Sequence, residues 1–402
     1  MVENKDKKVL NVPNLRFKEF EGEWKSCKLG AVVVVVGGGT PDTNNHKYWN
    51  GDIQWFTPSE IGRDKYVTNS LRTISEEGLN KSSAKLLPIG TILLSSRATV
   101  GECSINKVEC TTNQGFQSLI PKEYFSKEFV FYLMQTKRKE LIRKSCGSTF
   151  LEISANEVRK IEIAVPTYKE QEKISKLLAL LDERISTQNK IIDKLQSLIK
   201  GIMVELQKQG QNKGNWRNVL LSKVLTERDE RNTNFYQVFS VSVSRGVINQ
   251  VDYLGRSFAA RDTSKYNVVH YGDLVYTKSP TGAYPYGIVK QNLNQENVAV
   301  SPLYGVYIPN SLSVGTYLHE YFMSEINTHN YLHPLIQKGA KNTINITNQR
   351  FLENSVPMPV CANELLLISN LLLSFNDKIK YQKSILQQYQ KQKQYLLRQM
   401  FI

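Results

Sequence analysis

Two stretches of the chain carry apolar residues at alternating steps of four and three. In the first, Ile174, Leu178, Leu181, Ile185, Ile192, Leu195, Ile199, Ile202 and Leu206 form one stripe, interrupted by Gln188. In the second, 194 residues on, Ile368, Leu372, Phe375, Ile379, Leu386, Tyr389, Leu396 and Met400 repeat the stripe, with Gln382 at the matching polar position and Lys393 as its one basic member. This spacing is a heptad seam, and it predicts long helices over 167–208 and 360–402. The Lys393 stem is long enough to carry its charge past the apolar stripe to water. Each stripe is the natural cover for the other. Antiparallel pairing brings Gln188 to Gln382, whereas a shifted register buries two amides without partners, at about 1–3 kcal/mol each. Gln188 and Gln382 are therefore the expected register-setting pair.

Ahead of each helix the pattern is strand-like, and it too repeats. "EGEWKSCKLGAVV" around Trp24 resembles "KGNWRNVLLSKVL" around Trp216, 192 residues later. "LPIGTILLSS" matches "VHYGDLVYTK", both extended apolar alternations bounded by Gly90 or Gly272. "NQGFQSLIP" matches "SPLYGVYIP", and "IEIAVP" matches "NSVPMP". The offset drifts between matches, so the framework is duplicated while the loops differ in length. The expectation is an α/β protein with a pseudo-twofold internal repeat. It comprises an N-terminal arm (1–13), a first α/β domain (14–166), a helix (167–208), a second α/β domain (209–359) and a second helix (360–402). The two helices are antiparallel and form a coiled-coil spacer.

Composition narrows the partner. At 402 residues with 41% hydrophobic content the chain can bury two cores, and 52 Lys and Arg against 37 acids give a formal charge of +15. Basic residues spread through the chain favour a polyanion, nucleic acid first. No apolar run approaches the roughly 20 residues that cross a bilayer, so no membrane is expected. The first ten residues lack an apolar signal core, and the five cysteines are odd in number without C-x-x-C spacing. A reduced, cytoplasmic protein with a frayed N-terminal arm is the reading.

A hidden enzyme would have to show a site. "VVGGGTPDT" lacks the Gly-Lys-Ser/Thr ending of a phosphate-binding loop and reads as a turn. "SPLY" lacks the second proline of the amino-methyltransferase motif, and Pro41-Asp42 lacks the acid-x-lysine that completes a metal-dependent nuclease. His329 and His333 are four apart without an intervening acid in H-E-x-x-H form, and a surface pair is the plainer reading. No catalytic residue, metal or cofactor is expected.

The order of elements, with the run Pro166, Glu170, Gln171, Lys173 and Ile174 at the head of the first helix, resembles the specificity subunits of type I restriction-modification systems. Pro359, Glu364 and Ile368 keep part of that run in the second half, with Asn363 and Glu364 in place of the acid-Gln pair. The turn Ser96, Arg97, Thr99 and Gly101 is similar to a family Ser-Arg-x-Thr-x-Gly turn, and "GGGTP" fits another. The resemblance implies that each α/β domain is a target recognition domain reading half of a split site in double-stranded DNA. The helices would set the spacer and dock two modification subunits, which bind S-adenosylmethionine and methylate adenine. Separate motor-nuclease restriction subunits would translocate and cut. Candidate DNA-contacting residues are Thr40, Asn44, Lys47, Ser96, Arg97, Thr99 and Thr149 in the first domain. In the second they are Arg245, Lys278, Ser279, Thr281, Tyr284, Lys341 and Asn342. A fused methyltransferase or nuclease, and a structural coiled-coil adaptor without DNA contact, are the alternatives.

Overall fold

The computed structural model describes residues 11–147, 151–338 and 344–402. The chain divides into two compact units, one running to Thr187 and completed by Leu386–Ile402, the other Gln188–Ile385. A long helix, Tyr168–Lys213, and a second, Ala362–Gln399, each contribute residues to both units.

The first unit is built on a five-stranded sheet in the order Val33–Gly37, Gln117–Pro121, Ile92–Leu94, Cys103–Asn106, Tyr66–Val67. Ile92, Leu93 and Leu94 are all fully buried, as a central strand covered on both faces should be. Helix Lys127–Arg143 packs Phe129, Val130 and Leu133 against it. Strand Trp49–Phe56 pairs antiparallel with Arg72–Ile74 and parallel with Cys110–Thr112 in a separate small sheet. A further pair, Lys25–Lys28 with Glu162–Val165, leads into the first long helix.

The second unit has a four-stranded antiparallel sheet in the order Leu225–Glu227, Gly305–Pro309, Leu274–Tyr276, Val289–Gln291. Trp216–Leu220 pairs with Ser355–Pro359 ahead of the second long helix. The strands fall where the matched sequence segments place them. One buried device recurs without any obvious sequence signal: Asn106 donates to the Pro88 carbonyl at 3.0 Å, and Asn292 donates to the His270 carbonyl at 3.0 Å. Each locks the turn that enters its unit's central strand.

Trp24 and Trp216 fasten the long helices. The Trp24 indole N–H donates to Glu170 Oε1 at 3.2 Å, and Arg16 grips the same carboxylate with two bonds of 2.8 Å. The Trp216 N–H donates to Glu364 Oε1 at 2.8 Å, with Asn215 on the other oxygen at 3.0 Å. A carboxylate in the first turn also suits the positive end of the helix dipole. Glu364 thus does in its unit what Glu170 does in the other, although the second helix lacks the Gln that follows.

One detail departs from the sequence expectations. The first long helix continues past 208 to Lys213, because Gly210 lets the Trp216 ring lie against the helix: a Cβ there would stand 2.2 Å from the ring. Gly214, at φ +71°, ends it. The first ten residues, expected to fray, lie outside the described residues; just after them the Asn11 carbonyl accepts from the Trp24 backbone N–H at 2.7 Å.

Candidate nucleic-acid interface

In the first unit the loops at one rim are stitched together by the backbone. Gly38 and Gly39 are required there, since a Cβ would meet the Asn113 carbonyl at 1.9 Å or Ser83 Oγ at 2.3 Å. The next residue, Thr40, donates its hydroxyl to Gln114. Gly115 accepts from the Ser96 N–H at 2.8 Å, and the Ser96 carbonyl accepts from Ile153 N–H at 3.1 Å. Thr40, Ser96 and Arg97 therefore lie on connected loops. Asn44 and Lys47 are exposed and follow directly, in a turn where Asp42 accepts from the Asn44 N–H at 3.0 Å and Asn45 from the Lys47 N–H at 3.1 Å.

The Ser95–Gly101 turn is rigid. Ser95 Oγ donates to the Arg97 carbonyl at 2.7 Å, Thr99 Oγ1 donates to Ser95 Oγ at 3.2 Å, and Gly101, at φ +85°, closes back on the Ser95 carbonyl at 3.0 Å. Thr99 is exposed. Ser96 is fully buried, so it supports the loop from below. Arg97 is half-exposed, and its Nε stands 2.8 Å from Glu152. That carboxylate, which the sequence reading did not single out, spends part of the charge that marked Arg97 as a DNA contact. Thr149, Lys341 and Asn342 lie outside the described residues.

In the second unit the loop from Lys278 to Gly287 is the counterpart. Lys278 sits at φ +60°, half-buried, and burial lowers its amine below the usual lysine range while Glu227 opposes that shift. Gly287, at φ +99°, is needed because a Cβ would stand 2.8 Å from the Lys278 nitrogen. Thr281 and Tyr284 exchange two backbone bonds of 3.0 Å, and Ser279 is exposed at the tip. Tyr284 is only 6% exposed and donates its hydroxyl to the Met323 carbonyl at 2.7 Å, so it braces the loop and offers no face for stacking. Its neighbour Tyr286 contacts the ring pair His329 and His333, at 5.3 and 5.9 Å. Arg245 is exposed on a different hairpin, Phe239–Ser242 with Gly246–Asn249, over the Tyr253 ring at 5.7 Å.

The long helices meet antiparallel inside each unit. In the second unit Gln188, 7% exposed, donates to the Gln382 side-chain oxygen and also reaches its backbone carbonyl at 3.2 Å. In the first unit Lys393 is paired: its ammonium stands 2.6 Å from Asp182, which also accepts from the Tyr132 hydroxyl at 2.6 Å. An ion pair, where free snorkelling was expected, fills that layer of the seam. No helix of the described residues is long and apolar enough to cross a membrane, and among them no three His, Cys, Asp or Glu side chains gather as a metal set would.

Each unit is built on its own sheet and fastened by a tryptophan to a glutamate at the head of a long helix. Residues 21–197 match the family model described as Type I restriction modification DNA specificity domain. The curated proteins similar to this chain include the Type I restriction enzyme MjaIX specificity subunit of Methanocaldococcus jannaschii, 38% identical over 180 residues, or 43% of this chain and 42% of that protein. Another is the EcoR124I/EcoR124II specificity subunit of Escherichia coli, 32% identical over 175 residues, or 42% and 43%. The match thus spans less than half the length of these relatives. Among solved structures, the S subunit of a type I restriction-modification system from M. genitalium aligns over 97% of this chain and 99% of its own, with a TM-score of 0.60 at 12% identity. That likeness shows the fold. The resemblance drawn from the sequence is matched here: residues 21–197 are similar to the DNA specificity domain of type I restriction-modification systems.

Proposed function

We propose that this chain is the DNA sequence-recognition subunit of a type I restriction-modification complex in the cytoplasm. The observation that carries the reading is the match of residues 21–197 to the DNA specificity domain. Each α/β domain, about 14–166 and 209–359, reads one half of a bipartite site in double-stranded DNA. The second domain repeats the first in pseudo-twofold fashion, and the recurrence of the Trp24–Glu170 contact as Trp216–Glu364 supports that duplication. The paired helices act as a coiled-coil spacer and as the dock for two modification subunits. Methyl transfer and cleavage belong to partner subunits, so the chain itself needs no cofactor.

Within this reading the exposed Asn44, Lys47, Thr99, Ser279 and Arg245 meet DNA, with Thr40, Thr281 and Lys278 behind them. Thr149, Lys341 and Asn342 keep their candidate roles from the sequence. Ser96 and Tyr284 hold loops in place. Phosphate contacts by the lysines supply salt-dependent affinity, while polar groups at base edges supply discrimination. The test is selection from a randomised duplex library by the full chain assembled with its modification subunits. A two-part motif, bound less tightly as salt rises, is the expected result. Binding without sequence preference would overturn the reading.

A further inference from the structure

Arg72, which the sequence reading passed over, stands on a platform built from the first unit's small sheet. Its guanidinium lies 3.5 Å from the centre of the Trp49 ring and 5.5 Å from that of Trp55. The two indoles meet edge to face at 5.0 Å, and both are buried, at 7% and 4% exposure.

The platform depends on a local irregularity. Trp55 pairs directly with Arg72, while Trp49 and Ile53 both fall opposite Ile74, so the strand bulges between them. Asn50 takes φ +61° in that bulge, and at Gly51 a Cβ would stand 2.5 Å from Ser75 Cα. The bulge bends Trp49 back onto the side where Trp55 and Arg72 already lie. The Arg72 backbone is fixed as well. Ser70 Oγ donates to the Arg72 carbonyl at 2.6 Å, Gln54 accepts from the Ser70 N–H at 2.7 Å, and Glu60 accepts from the Leu71 N–H at 2.6 Å.

The same two indoles hold the candidate DNA loop. Trp55 donates to the Gly39 carbonyl at 2.9 Å, and Trp49 donates to the Asp42 carbonyl at 3.1 Å. Arg72 is thus anchored to the support of Thr40, Asn44 and Lys47. Among the described residues its guanidinium meets two ring faces and no carboxylate, whereas Arg97 is held by Glu152.

We propose that Arg72 reads a base edge in the half-site of the first unit, its stacked guanidinium presenting a fixed pair of donors to a purine with two acceptors, guanine. The inference rests on the DNA-recognition reading above. A stacked arginine keeps its donor fork in one plane, which suits bidentate recognition of a base; a phosphate accepts the same fork but carries no sequence, so the dependence on base identity tells the two apart. Arg72 is exposed, so its replacement spares the core.

The experiment is library selection on randomised duplex DNA with the full chain and its modification subunits, comparing wild type, Arg72→Ala and Arg72→Lys. Both variants are expected to lose preference for guanine at one position of one half-site, by about tenfold to a hundredfold, with the other half-site unchanged. Arg72→Lys should keep most of the overall affinity. A uniform loss of affinity with every preference intact would mean a phosphate contact and overturn the proposal. So would unchanged preferences in both variants, or a change in both half-sites. A wild-type complex with no preference at all would instead remove the DNA-recognition reading, and the proposal with it.

Discussion

Lys290 lies on strand Val289–Gln291 with 2% of its surface exposed, its ammonium against the Met323 sulfur. Burial lowers its pKa to about 8, with Lys383 adding to the shift and Glu320 opposing it. Glu320 in turn accepts from Asn376 of the second long helix at 2.7 Å, so the lysine sits where the second unit's sheet meets that helix. An unfolded lysine keeps its proton to about pH 10.4. Between the two values the unfolded chain holds more protons than the folded one, and stability from this group rises as pH rises. From pH 8 to 9.5, denaturant unfolding should show wild type gaining about 1 kcal/mol per pH unit relative to Lys290→Met. Parallel pH dependences for the two proteins would contradict the assignment.

At the scale of elements, the Gln188–Gln382 contact is a polar layer in a largely apolar seam, whose other polar layer is the Lys393–Asp182 ion pair. Gln188→Leu strands the Gln382 amide beside an apolar side chain and should lower stability by about 1–3 kcal/mol. Gln188→Leu combined with Gln382→Leu should recover most of that loss, because neither amide is then left without a partner. Thermal melts of the single and double variants check this; additive losses would contradict it.

Much of this level was legible in the chain. Heptad spacing gave both long helices, and the repeated Gly and Pro boundaries gave the strands Ile92–Leu94 and Leu274–Tyr276. What escaped was set by contacts distant in sequence. The helix expected to end at 208 runs on to Lys213, and nothing local in the sequence shows that the Trp216 ring packs on Gly210. Arg97 and Tyr284 are candidate DNA contacts in the sequence, which does not show that Glu152 stands beside the one or that the hydroxyl of the other reaches the Met323 carbonyl. Arg72 gave no signal because its platform requires a bulge that pairs Trp49 and Trp55, which alternation of apolar residues does not announce.

At the scale of the whole molecule, the central claim is that two reading units share one pair of helices whose length sets the gap between half-sites. The units divide at Thr187 and Ile385. A heptad inserted after each of these residues preserves the seam and lengthens both helices by about 10.5 Å, roughly three base pairs of duplex. The most direct measurement is the map of methylated adenines in DNA from a host carrying the partner subunits with either the wild-type or the inserted chain. The account predicts the same two half-sites separated by a longer gap. An unchanged gap, or altered half-sites at the old spacing, would contradict it.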